Sequence, residues 1–300
     1  MYDAVIVGGG PAGLSAALIL GRCRRRVLVC DVGRPRNRAA RALHGYLTRD
    51  GIPPLELRRL GRRELEPYGV DYHTVEVTEA TRVGDRFRCT LGTGEAVESR
   101  FLVLATGVVD VLPPIEGLAE LYGRSVHHCP YCDGWEVRDR PLAALGRGKD
   151  GFGLAVSLRT WSDDVVLCTD GPHGLRNAQR ATLTRLGVAL RTERIARLEG
   201  RAGLLQRIVF VDGRSLPRRA LFFKPAKYQR SPLCEELGCS FTRKGAVRVL
   251  KHEKAGPEGL FVIGDASQDI QMAIIAAAEG VRAGHAINES LSRRSLGPDR

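Results

Sequence analysis

The stretch Asp3-Ala-Val-Ile-Val7-Gly8-Gly9-Gly10-Pro11-Ala12-Gly13, followed by the periodic apolar run Leu14 to Leu20, decides the fold. It reads as a short buried strand, a tight glycine turn and a helix. Gly8, Gly10 and Gly13 allow the turn, a close backbone approach to a pyrophosphate and tight strand-helix packing. The N-terminus of the helix that follows adds backbone amides and a positive dipole end. A second strand, Arg26 to Cys30, ends at Asp31, the distance beyond the glycines at which a carboxylate bonds a ribose hydroxyl. The segment is therefore expected to be a dinucleotide site.

Working outward, the same signature recurs. Pro141 to Leu145 leads into Gly146-Arg147-Gly148-Lys149-Asp150-Gly151 and a helical pattern over Phe152 to Trp161. Its second strand, Asp164 to Cys168, ends in Thr169-Asp170-Gly171. No arginine stands there to grip a 2'-phosphate, whereas Asp170 suits a ribose hydroxyl, and Arg147 and Lys149 make the loop bulky. A largely structural second nucleotide-type domain is the expectation. Between and after these units lie the strand-like Phe101 to Ala105 with Thr106-Gly107, and Gly259 to Ile263 with Gly264-Asp265. Ser267-Gln268-Asp269 then precedes a small-residue helix over Gln271 to Ile287, against whose N-terminal end a ligand can rest. The fold class expected is α/β, with two Rossmann-like three-layer domains.

The chain has 300 residues, enough for two cores. It enters an apolar strand directly after Met1-Tyr2-Asp3, with no basic leader and cleavage site, so a cytoplasmic location is expected. The longest greasy runs fall far short of the roughly 20 residues of a membrane span. The net charge of +12 comes from scattered arginines without interleaved aromatics, so nucleic-acid binding is not expected. An ordinary solvated surface, or steering of an anionic ligand, accounts for it. Lys224, Lys227 and Arg230 are the candidates for such steering.

Of eight cysteines, Cys23, Cys30, Cys89, Cys168, Cys234 and Cys239 stand singly and are expected to be buried or half-buried thiols. The other two lie in His127-His128-Cys129-Pro130-Tyr131-Cys132-Asp133, the densest reactive stretch of the chain. Zinc normally wants a second ligand pair at suitable spacing, and none follows, so no metal is expected. A structural disulfide would close only a tiny loop in a compartment that keeps thiols reduced. Redox cycling is the better reading: a neighbouring imidazolium and a helix start lower a thiol pKa. Cys129 is placed for this by His128. Asp133 is either a proton shuttle or a cap.

The order of Gly8-Gly-Gly-Pro-Ala-Gly13, Ala105-Thr-Gly107, Cys129-x-x-Cys132-Asp133-Gly134, the second glycine loop and Gly264-Asp265 resembles the low-molecular-weight thioredoxin reductase family over essentially the whole chain. The resemblance implies that architecture and a homodimer. It implies an FAD domain of residues 1–114 plus 247–300, and an inserted domain of residues 115–246 carrying the cysteines. It implies FAD held by Gly8, Gly10, Pro11, Ala12, Gly13, Asp31, Thr106, Gly107, Gly264, Asp265, Gln271, Met272 and Ala273. Thioredoxin-reducing members carry a His-Arg-Arg run and an Arg-Gln-Ala where this chain reads Thr169-Asp170-Gly171 and Ile270-Gln271-Met272-Ala273. Those departures look more like the dithiol oxidases that close disulfides in gliotoxin, holomycin and romidepsin. That subgroup implies an antibiotic-biosynthesis flavoprotein. Electrons would pass from a small-molecule dithiol through Cys129 and Cys132 to FAD and then O2, giving H2O2. Cys132 is flavin-proximal by the family pattern, and His127 or His128 is the base. The alternatives are a thioredoxin-disulfide reductase dependent on NAD(P)H or ferredoxin, and a flavin-binding regulatory module without turnover.

Overall fold

The structure, a computed structural model, describes residues 1–267 and 270–295. Gln268 and Asp269, part of the loop singled out before the last helix, lie outside the described residues. The chain forms two compact units, one of Met1–Arg38, Tyr46–Val109 and Lys227–Arg300, the other of Ala39–Gly45 and Asp110–Ala226.

In the first unit, parallel strands run in the order Asp71–His73, Val27–Cys30, Tyr2–Val7, Ala96–Leu104, and Leu260–Val262 pairs with the last of these. The nine-residue strand Ala96–Leu104 serves two sheets' worth of neighbours. Its second half is sandwiched in the parallel layer. Its first half pairs antiparallel with Arg86–Leu91, which pairs with Val77–Val83. Strands covered on both faces should read as unbroken apolar runs. Ala4–Val7 and Val27–Cys30 do, and their side chains alternate between two cores. Val5, Val7, Leu28, Leu102 and Leu104 enter one. Ala4, Ile6, Val27, Val29, Phe101 and Val103 enter the other, beneath the helices Pro11–Arg22 and Ala273–Ser295. These helices touch through small residues: a Cβ on Gly280 would lie 2.1 Å from the Ala12 carbonyl oxygen, so the site needs glycine. The last helix starts at Ala273 and runs past Ile287 to Ser295.

Residues 227–246, placed by sequence in the inserted domain, pack instead with the first unit, because Leu233, Cys234, Leu237 and Cys239 fill its core beside Val77 and Leu102. In the second unit a five-stranded parallel sheet runs Ala189–Arg191, Val165–Cys168, Leu142–Leu145, Ala220–Phe223, Val126–His127. An antiparallel sheet of Ile195–Arg201, Leu204–Phe210 and Ser215–Pro217 accompanies it. Among the described residues no helix is long and apolar enough to cross a membrane.

Candidate functional site

The glycine loop is built by exclusion. Gly8 has φ +112°, and a Cβ there would sit 2.3 Å from the Ala105 carbonyl oxygen. One on Gly13 would sit 1.9 Å from that of Gly8. These positions hold the strand and helix in contact. Gly10 differs: nothing lies within 4 Å of its virtual Cβ, and no side chain caps the helix that follows. Open space before the uncapped helix start, where Ala12 and Gly13 offer amides and Pro11 has none to give, is where a pyrophosphate fits.

Asp31 is 11% exposed at its side chain, as is its partner Arg58. One carboxylate oxygen, Oδ2, accepts from Arg58, from the Tyr72 hydroxyl at 2.8 Å and from the Gly33 amide at 3.2 Å. Arg58 also donates through Nε to the Gly9 carbonyl at 3.0 Å. The interactions converge on one oxygen, orienting the carboxylate for a ribose. Sequence reasoning missed Arg58, Tyr72 and Gly9. Arg58 lay in a run read as solvated surface, and the available signal was the helical spacing of Pro54–Leu65, which turns one arginine inward.

Thr106 Oγ1 is buried without a hydrogen-bond partner, a donor that a bound ligand can satisfy. Gly107 has φ +68°, and its carbonyl accepts the Arg230 amide at 3.2 Å. Gly264, φ +73°, and Asp265 form a tight turn after Leu260–Val262. Asp265 Oδ2 accepts from Arg36 at 2.8 Å. Gln271 Oε1 accepts from Arg36 and from Lys227, both at 2.7 Å, and Gln271 Nε2 donates to the Asp265 carbonyl at 3.0 Å. Met272 and Ala273 open the last helix, the Met272 carbonyl accepting the Ala276 amide at 3.0 Å. The loop space at Gly10, the oriented Asp31 and the orphaned Thr106 hydroxyl together fit an adenine dinucleotide such as FAD. Lys227 and Arg230, read from sequence as a guiding surface, are instead engaged within this unit, Arg230 reaching the Val108 carbonyl at 3.3 Å.

In the second unit Cys129 and Cys132 are joined as a disulfide with Cα atoms 5.3 Å apart. Cys129 occupies the position before a four-residue helix, Pro130–Asp133, and its carbonyl accepts the Cys132 and Asp133 amides at 3.1 and 3.2 Å. A Cβ on Gly134 would lie 2.6 Å from the Trp161 ring, so Cys-x-x-Cys-Asp-Gly must end in glycine here. Tyr131 and Trp135 stand exposed around the pair, at 75% and 64%.

The two histidines have different surroundings. His127 is 6% exposed, stacks at 5.3 Å on Phe222, and its Nδ1 lies 3.2 Å from Asp133 Oδ1, while Nε2 is buried with no hydrogen-bond partner. His128 is half-buried, with Nδ1 2.8 Å from the Tyr122 hydroxyl. That hydroxyl donates to Asp110 Oδ2 at 3.0 Å. Having given its only proton to Asp110, Tyr122 accepts from Nδ1–H of His128, and the basic lone pair falls on Nε2. Asp110 and Tyr122 were not found from sequence, because nothing local marks a relay between positions 110, 122 and 128.

The second glycine loop keeps nucleotide-loop packing: a Cβ on Gly151 would meet the Gly146 carbonyl oxygen at 2.4 Å. Its acid is already used. Asp170 Oδ1 accepts the Ile195 amide at 2.8 Å, and Arg147 lies across the strand end, donating to the carbonyls of Thr169 (2.8 Å) and Asp170, with Nη2 3.8 Å from Asp170 Oδ2.

Of the remaining cysteines, Cys23 is exposed, contrary to the expectation, because it caps the end of Pro11–Arg22 at the surface. The others are buried, and burial pushes the thiols of Cys30, Cys89 and Cys168 up to about 12, which leaves them inert. Among the described residues no group of three or more His, Cys, Asp or Glu could hold a metal.

The sequence profile described as pyridine nucleotide-disulphide oxidoreductase matches residues 2–280. The thioredoxin reductase tcpT of Claviceps purpurea is 32% identical over 284 residues, covering 88% of this chain and 86% of that protein. The crystal structure of HlmI superposes with a TM-score of 0.92 at 33% identity, covering 98% of this chain and 94% of the other. An oxidoreductase structure from Agrobacterium tumefaciens gives 0.90 at 33% identity, covering 99% of both.

Proposed function

As a member of the pyridine nucleotide-disulphide oxidoreductase family, this chain is an FAD-dependent thiol/disulfide oxidoreductase of thioredoxin reductase type, and we propose that it closes an intramolecular disulfide in a small-molecule dithiol, with O2 as acceptor and H2O2 as product. The observation that carries this reading is the engagement of Asp170 by Ile195 and Arg147. The carboxylate that would take a nicotinamide nucleotide's ribose is held by the protein itself, which favours electrons entering at the cysteines.

His128, its tautomer set by Tyr122 and Asp110, takes a proton from one substrate thiol at Nε2. The thiolate attacks Cys129 Sγ, a substrate–Cys129 bond forms as the Cys129–Cys132 bond breaks, and Cys132 leaves as thiolate. The second substrate thiol, once deprotonated, attacks the substrate sulfur of the mixed disulfide and expels Cys129 as thiolate. The substrate has then lost two electrons and the pair has gained them. His127, buried between Phe222 and Asp133, orients Asp133 at the end of the short helix. Gly8 to Gly13, Asp31, Thr106, Gly107, Gly264, Asp265 and Gln271 to Ala273 would hold FAD, which when bound would supply a two-electron acceptor for the reduced cysteine pair, with oxygen as the final oxidant. The enzyme acts as a cytoplasmic homodimer.

A second reading, reduction of a thioredoxin by NAD(P)H or ferredoxin, is favoured by the likeness to tcpT. Anaerobic titration of the yellow holoprotein separates the two. Bleaching by a small dithiol, with peroxide released on aeration and no rapid bleaching by NADPH, is expected. Rapid bleaching by NADPH would overturn the oxidase.

A further inference from the structure

Beneath the Gly264–Asp265 turn lies a pair of carboxylates that the thiol chemistry does not use. Glu279, on the last helix, is 1% exposed. Its Oε2 accepts the Gly264 amide at 2.6 Å, and its Oε1 is buried with no hydrogen-bond partner. Glu253 is 4% exposed; its Oε1 is paired with Arg282, and its Oε2 is likewise buried and without a partner. One arginine, itself half in solvent, thus faces two buried carboxyls, with Asp265 contributing a third acidic charge nearby. An orphaned carboxylate oxygen on a side chain this deeply buried, with the charge of Glu253 close by, makes an ionised Glu279 costly, and a proton on Glu279 removes that charge.

We infer that Glu279 is a positioning residue of the flavin site: it holds the Gly264–Asp265 turn through the Gly264 amide as a protonated carboxyl, so that retention of FAD weakens when that proton is lost. The inference rests on the reading that Gly264 and Asp265 contact FAD. Burial, the first cause, together with the charges of Glu253 and Asp265, raises the Glu279 carboxyl to about 7; the Gly264 amide and Arg282 act in the opposite direction. Ionisation places a charge directly behind the turn. Seating the cofactor against that turn removes more solvent, so the bound form favours the protonated state and the free form tolerates the charge better.

The test is the FAD dissociation constant of the full-length holoprotein, read from free-flavin fluorescence on dilution at pH 6 to 8.5. In the unsubstituted protein the constant is expected to rise about 3- to 10-fold over that range. Glu279→Gln keeps an acceptor for the Gly264 amide and cannot ionise, so it should bind FAD within about threefold of the starting protein at pH 6 and show no slope. Glu253→Gln removes the neighbouring like charge and should move the midpoint to lower pH. Glu279→Ala strands the buried Gly264 amide and should weaken FAD binding about tenfold or more at pH 6. If Glu279→Gln retains the pH slope, or Glu279→Ala binds FAD normally, the inference is overturned. Asp265→Ala tests the underlying reading separately. If it leaves FAD affinity unchanged, the turn does not touch the cofactor. If it weakens binding while the Glu279 variants do not, only the role of Glu279 fails.

Discussion

The Tyr122 hydroxyl stands 2.8 Å from Nδ1 of His128 while donating to Asp110 at 3.0 Å, which makes His128, rather than the more deeply buried His127, the histidine with a defined basic nitrogen next to Cys129. Replacing Tyr122 by Phe removes the acceptor for Nδ1–H without changing the ring that packs at 6.0 Å against Phe223. Stopped-flow bleaching by a dithiol should slow about tenfold for Tyr122→Phe and about 10²-fold or more for His128→Gln, with both losses shrinking as pH rises and the substrate ionises by itself. Equal rates at pH 7 would remove His128 from the mechanism.

The two sulfurs should separate by role. In Cys132→Ser the remaining Cys129 thiol, exposed to a small cyclic disulfide, should form a stable mixed disulfide seen as a mass increase on intact protein. In Cys129→Ser the same treatment should give little adduct, and in both variants dithiol bleaching should be lost. A reversed trapping pattern would exchange the roles of Cys129 and Cys132.

The glycine loop gives a paired test. Gly13→Ala puts a Cβ 1.9 Å from a backbone oxygen, and only a backbone shift can relieve it, so the protein should lose several degrees of thermal stability along with its colour. Gly10→Ala meets nothing within 4 Å in the protein itself. Its cofactor-free form should melt within about 2 °C of the starting protein, yet its FAD affinity should fall, because the added methyl stands where the pyrophosphate approaches. A normal affinity would place the cofactor elsewhere.

Glu279 also gives stability a pH dependence of definite sign. Its carboxyl ionises near the ordinary 4.5 when unfolded and at about 7 when folded, so between those values the folded state holds more protons. Stability therefore falls as pH rises from about 4.5 to 7 and is flat with respect to this group above 7. The contribution is about 3 kcal/mol, several degrees in melting temperature, and Glu279→Gln should abolish it. A melting temperature equally steep in that variant would assign the slope to other groups.

Both nucleotide-type units, the flavin loop and the redox pair were legible in the chain, because each is a local pattern. A strand, a glycine turn and a helix occupy consecutive residues, and two cysteines three apart at a helix start need no distant partner to be recognised. The run Val5 to Val7 reads as a doubly covered strand because burial on both faces demands unbroken apolarity. What the sequence could not decide was where long side chains end. Arg58 read as part of a dispersed basic surface and Arg147 as bulk in the second glycine loop, yet one clamps Asp31 and the other lies across the strand end at Asp170. Asp110, Tyr122 and His128 meet only after folding, as do Glu253 and Glu279. Periodicity determines which face of an element is buried. Which charge meets which across tens of residues depends on the register of packed elements, and only the tertiary structure sets that.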